Sequence, residues 1–213
     1  MVGSPFVLLL LFATEALVSC VTTPTKFDEV NKAKWSAKLL IRDMKDVRSQ
    51  IVNADIVAFR PDRLRMELST PIGIYVASFV MNHETVKYAL PKDKRFVEGP
   101  ATAQSMKSAV GVGLDPHLFI DILFDAEPTE KTWVCKRDKK GFLESCENKS
   151  EGVSVSWADR EMAKKRIEVK TAEFILQVAL KGFSTKVEES PSLFELAQPE
   201  GYKYQKIETK HVQ

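Results

Sequence analysis

The sequence predicts a mainly β fold with a helical lid: a curled antiparallel sheet of about 10–11 strands forming a half-open barrel, covered by central helices. Three observations carry this prediction. Segments with period-2 alternation, or rich in β-branched residues, recur from about residue 35 with short connections, which neighbouring strands allow only when antiparallel. The alternation stops at about residue 100 for two stretches of helix formers and then resumes. A sheet this wide cannot stay flat; it curls, and its apolar concave face must be covered or filled.

The first twenty residues, MVGSPFVLLLLFATEALVSC, contain an apolar run too short to span a bilayer as a helix but of signal-peptide length. Its end, Leu17-Val18-Ser19-Cys20, resembles a bacterial lipobox, in which the cysteine is lipidated and becomes the first residue of the mature chain. The plainer alternative is an ordinary signal peptide or a buried N-terminal helix with a chance cysteine. On the lipobox reading, residues 1–19 are a lipoprotein signal peptide, residues 20–26 are a tether with lipidated Cys20, and residues 27–213 are a single domain. Val21 follows the cysteine where an aspartate would favour the inner membrane, so the expected location is the outer membrane, lipid-anchored and facing the periplasm.

FDEVNKAKW has the spacing of a short amphipathic helix. Strands are expected over Trp35–Arg42 and Gln50–Phe59, then Arg63–Ser69, whose Leu64, Met66 and Leu68 share one face opposite Arg63, Arg65 and Glu67. Ile74–Met81 and Thr85–Leu90 read as a hairpin, and Arg95–Glu98 as a short strand. The first central helix falls within PATAQSMKSAVGVG. The second has Asp115 as N-cap, Pro116 in its first position, and Leu118, Phe119, Ile122 and Leu123 as its apolar face. Strands resume in WVCKRDKKGFLESC, GVSVSW, KKRIEVK and AEFILQVALKGF; SLFEL and GYKYQKI close the chain. Periodicity leaves open whether the interior is a cavity or a packed core.

With Cys20 set aside as an anchor, Cys135 and Cys146 remain. If their hairpin turns at Lys140-Gly141, residues whose numbers sum to 281 face each other, and these two cysteines do. A disulfide is expected, formed in an oxidising compartment such as the periplasm. Two cysteines with no histidine nearby cannot complete a zinc site.

Thirty-one basic residues against twenty-nine acidic ones, without long blocks of one sign, give no electrostatic case for nucleic acid. His83, His117 and His211 fall in separate segments, and no nucleophile elbow, zinc-protease, phosphate-loop or dinucleotide motif occurs. The clusters DEVNK and DREMAKK read as solvated charge. No enzyme activity, metal or cofactor is expected.

A lipobox, a strand-rich half-barrel interrupted by two helices, and a proline–apolar–glycine turn after the third strand together resemble the LolB family, the outer-membrane lipoprotein receptors of the LolA/LolB superfamily. The specific stretches are RLRMELSTPIGIY, similar to the family's strand, Pro-Leu-Gly and strand, and ATAQSMKSAVGVGLDPHLFIDILFDAEP, similar to its paired helices. Two features depart from the family: Ile72 stands in place of its loop-tip leucine, and the Cys135–Cys146 pair is extra. The resemblance implies a monomer that takes acyl chains of lipoproteins from a LolA-like periplasmic carrier. It implies cavity walls that include Leu64, Met66, Leu68, Val76, Phe174, Leu176 and Val178, with Leu118, Phe119 and Ile122 on the lid. Pro71, Ile72 and Gly73 would form a membrane-insertion loop, although the turn alone also allows Ile72 to tuck back against the sheet. The alternatives are a structural or assembly lipoprotein that binds a protein partner, or a carrier for another amphiphile such as a glycolipid.

Overall fold

The computed structural model describes residues 24–207. Residues 1–19, expected to be a signal peptide, and Cys20 and His211 lie outside the described residues. The protein is mainly β: one curled, open sheet of twelve strands in the spatial order β12-β6-β5-β4-β3-β2-β1-β11-β10-β9-β8-β7. The strands are β1 (Lys32–Asp43), β2 (Arg48–Phe59), β3 (Arg63–Ser69), β4 (Tyr75–Asn82), β5 (Thr85–Leu90), β6 (Arg95–Pro100), β7 (Trp133–Arg137), β8 (Leu143–Asn148), β9 (Val153–Glu161), β10 (Lys164–Lys170), β11 (Phe174–Ser184) and β12 (Lys203–Lys206). Between β6 and β7 lie α1 (Ala103–Val110) and α2 (Pro116–Leu123).

The strand count exceeds the expected 10–11, and the extra strand is not antiparallel: β12 pairs in parallel with β6. All four of its residues are exposed, so no alternation of burial marks it in the sequence. The amphipathic helix expected in FDEVNKAKW is also corrected. Only Phe27–Glu29 form a helical turn, and β1 begins at Lys32. Phe27 and Trp35 are spaced as on a helix, but Ala33, Trp35, Ala37, Leu39 and Ile41 alternate into the core along a strand paired on both sides, and that pairing wins.

The apolar faces of the strands and the two helices merge into one main core. A second, small cluster lies on the outer face, where the segment after β11 crosses the sheet. There Phe194, in a short helical turn (Pro191–Phe194), packs on Phe59 and Val80. The Arg63 guanidinium sits 4.7 Å from the Phe59 ring and 5.3 Å from that of Phe194, and Arg65 Nη1 donates to Leu193 O and Glu195 O at 3.1 and 3.2 Å. The crossing then delivers β12 to the edge of β6. A Cβ at Gly99 would meet Ile207 Cβ at 2.9 Å, so glycine is what lets the terminal segment lie this close.

Cys135 faces Cys146 in the β7–β8 ladder, and their sulfurs are bonded. This bond staples the outermost hairpin of an open sheet. Replacing both cysteines by alanine is expected to remove about 2–3 kcal/mol of stability, the loop-closure value for a short loop. Thermal unfolding with and without reductant measures it: the wild type should lose stability on reduction and the variant should not respond.

Candidate functional site

The β3–β4 turn forms the apolar tip named in the sequence. Gly73 N–H donates to Thr70 O at 2.9 Å, Thr70 N–H to Ile74 O at 2.7 Å, and Ile74 N–H to Thr70 Oγ1 at 3.0 Å. Pro71 takes the turn position that favours its fixed φ, and Gly73 closes the turn at φ +84°, where an L side chain would be strained. Ile72, held between them, is 82 % exposed and does not tuck back against the sheet. Ile74 and Tyr75 continue the exposed apolar run.

The predicted wall residues converge on the concave face. Leu64, Met66, Leu68, Phe174, Leu176 and Val178 are all buried in the main core, together with Phe119 and Ile122 of the lid. Val76 sits at a bulge, where the β3–β4 register shifts, and is half-buried against the same core; Ala77 is the residue paired with Leu68. Leu118 is also half-buried. The helices thus lie directly on the concave face, with their apolar side chains inside it.

Both helices begin, and α1 ends, as their sequences direct. Thr102 Oγ1 accepts from Ser105 N–H, and Gly111 ends α1 in the left-handed region. Asp115 Oδ1 accepts from the His117 and Leu118 N–H groups at 2.8 and 3.3 Å, with Pro116 in the first helical position.

The far end of α2 holds what the sequence reading missed. Asp125, at φ +54°, ends the helix: its N–H reaches Ile122 O and that of Ala126 reaches Asp121 O. Its buried carboxylate pairs with Arg160 and, at 2.6 Å, with Lys165 Nζ. Lys165 is 2 % exposed, donates also to Leu123 O at 2.5 Å, and stands 3.9 Å from the centre of the Phe27 ring. Burial pulls the Lys165 ammonium down to about 8 against the pull of Asp125. Trp157 Nε1 donates to Ile122 O at 3.2 Å. The last carbonyls of α2 are therefore fastened to β9 and β10 by two side chains. DREMAKK is not a solvated cluster throughout, because Arg160 and Lys165 turn inward. In a charged segment, the alternation of Lys165 with Ile167 and Val169 was the available signal.

At the other end of α2 a hollow of about 370 Å³ opens beside Leu118, Asp121, Trp133 and Val153. Burial pushes the Asp121 carboxyl up to about 6, with the Arg60 and His117 charges opposing and Asp115 adding. A carboxyl raised from 3.8 keeps its proton longer in the closed form than in an open or unfolded one. Its contribution is therefore complete below about pH 4 and is lost as pH rises towards 6. Hydrogen exchange along α2, corrected for intrinsic rate, should show better protection at pH 4.5 than at pH 7.5; Asp121→Asn should flatten this difference.

No family model matches the chain, and no curated protein matches it in sequence. Solved structures do resemble it. A LolA superfamily protein from Nitrosomonas europaea superposes with a TM-score of 0.55 over 80 % of this chain and 94 % of its own, at 8 % identity. A DUF1329 family protein from Desulfovibrio piger gives 0.48 over 79 % and 91 %, at 11 % identity. The first likeness is one of fold.

Proposed function

We propose that this chain is an outer-membrane-anchored lipoprotein that accepts the acyl chains of other lipoproteins from a periplasmic carrier and releases them into the outer membrane. The observation that carries the reading is a curled sheet with an apolar concave face under two helices, joined to a hairpin tip that holds Ile72 out in solvent. The fold shared with a LolA superfamily protein supports it.

Transfer of this kind is physical rather than covalent. An acyl chain of about 15 methylenes is worth roughly 12 kcal/mol of hydrophobic transfer, so it cannot cross water unaided. The concave face offers it apolar walls at Leu64, Met66, Leu68, Phe174, Leu176 and Val178. Phe119 and Ile122 already occupy that space, so an entering chain displaces α2, whose C-terminal end is fastened while its N-terminal end borders the open hollow. Cys20 keeps the acceptor at its destination membrane.

The test is transfer of a labelled lipoprotein from a loaded carrier to vesicles bearing the full chain. Acceleration over protein-free vesicles, with hydrogen exchange in α2 rising on loading, is the expected result. No acceleration would overturn the reading. Co-purification of a glycolipid or other amphiphile in place of lipoprotein acyl chains would move the function to the alternative carrier.

A further inference from the structure

Among the described residues, nine large apolar side chains are exposed, and six of them belong to two neighbouring hairpins: Met44, Val47 and Ile51 on β1–β2, and Ile72, Ile74 and Tyr75 on β3–β4. Because β1 to β4 are antiparallel neighbours, both turns fall at the same end of the sheet. Strand β2 runs on past its pairing with Ser69 by the stretch from Arg48 to Val52, so the β1–β2 turn projects beside and beyond the Ile72 turn.

We propose that the β1–β2 turn is a second bilayer-inserting tip, which with the Ile72 tip makes this end of the sheet one lipid-binding surface. The proposal rests on the reading above in which Ile72 meets a membrane. Val47 carries it furthest. It is 89 % exposed and sits at φ +51°, a region that β-branched residues avoid and that glycine or asparagine fills without penalty. Neither packing nor backbone geometry calls for valine there; an apolar contact outside the chain does. The turn is also held rigid. Asp43 Oδ1 accepts from the Lys45 and Asp46 N–H groups at 2.8 and 3.0 Å, Met44 N–H donates to Glu173 O at 2.8 Å, and Glu173 binds the ammonium groups of Lys45 and Lys107 at 2.7 and 2.8 Å.

The occupant is a lipid surface because the apolar groups project from two separate turns instead of lining a groove. A cation flanks them as well. Arg48 borders the turn and, among the described residues, pairs with no carboxylate, which leaves it for headgroup phosphates, whereas Arg42 acts on the Glu168 carboxylate and Asp46 stands within the turn itself.

The test attaches an environment-sensitive fluorophore to the full chain in vesicles. Single cysteines replace Val47, Ile72 or Tyr204 in turn; Cys135 and Cys146 are bonded to each other and Cys20 carries lipid in this reading. Tyr204, 51 % exposed in the edge strand β12, lies away from both tips and also from the Thr25–Met162 end where the tether enters, and serves as control. Brominated lipids should quench the probe at 47 about as strongly as at 72 and leave 204 bright. A silent probe at 47 with a quenched probe at 72 would overturn the second tip and leave the receptor reading standing. Silence at both would remove the bilayer from both readings. Equal quenching at 204, or a response at 47 to the carrier instead of to brominated lipid, would overturn it in favour of unspecific adsorption or a protein partner. Val47→Gly should slow release into membranes about tenfold with no loss in thermal midpoint, tenfold being within reach of one buried aliphatic side chain. A fall in midpoint with unchanged release would make the residue structural.

Discussion

Asp125→Ala is expected to destabilise the protein by about 3–5 kcal/mol, the range for removing one partner from a buried ion cluster. The variant leaves Lys165 without a carboxylate at a position that is 2 % exposed, and it takes from Arg160 its ion-pair partner. Neither cation can swing into water without vacating the core around Phe27 and Phe142. With whole-domain stabilities of about 5–15 kcal/mol, such a loss is visible in any denaturant titration. Two further variants separate charge from backbone. Asp125→Asn keeps a residue that tolerates φ +54° while losing the charge, and Asp125→Gly relieves the backbone altogether. If the ion cluster dominates, both should still lose most of the stability. If Asp125→Gly were as stable as the wild type, the residue would be only a helix stop and the fastening of α2 would rest on Trp157.

This end of α2 also shows where sequence reasoning stops. The helix itself was legible: Asp115-Pro116 announces its start, and the spacing of Leu118, Phe119 and Ile122 gives its buried face. The β7–β8 register was legible as well, because a short hairpin leaves few alternatives. Strand β12 was not, since parallel pairing at an edge after a long crossing leaves no periodic trace. The Asp125 cluster was hidden for a different reason. Its members lie about forty positions apart, and in sequence a buried ammonium looks like any surface lysine until the partner from another element is in place. For the candidate site, the alternation in the sequence placed Leu64, Met66, Leu68, Phe174, Leu176 and Val178 on the buried face and Ile72 in a turn, but not whether the lid side chains sit inside the concave face or above it.

The described chain begins at the end of the sheet opposite both tips, where Thr25 N–H bonds Met162 O. Strand β1, twelve residues long, spans about 40 Å, while the five residues from Cys20 to Thr25 reach at most about 18 Å. If Cys20 is the anchor, an upright molecule would hold Ile72 far from its own bilayer. The tip reaches the membrane only when the strands tip over towards the surface. Insertion of Ile72 is then coupled to reorientation of the whole domain, and a longer tether should ease it.

Against that geometry, Ile72→Glu is expected to leave folding and acyl-chain uptake unchanged and to reduce release into the membrane by about tenfold to a hundredfold. Full burial of an aliphatic side chain of this size is worth about 1.5–3 kcal/mol, and a carboxylate forfeits all of it. Folding should be indifferent because Ile72 is 82 % exposed and the turn is closed by Thr70 and Gly73, not by the isoleucine side chain. Uptake should be indifferent because the concave face lies along the strands and not at the tip. Ile72→Leu supplies the opposite control, keeping an aliphatic group of equal size, and should release normally. Single-turnover transfer separates the two steps: uptake is read as depletion of the loaded carrier, and release as label appearing in vesicles. Loss of uptake in step with release would make Ile72 part of the receiving site, and unchanged release in Ile72→Glu would remove the tip from the mechanism.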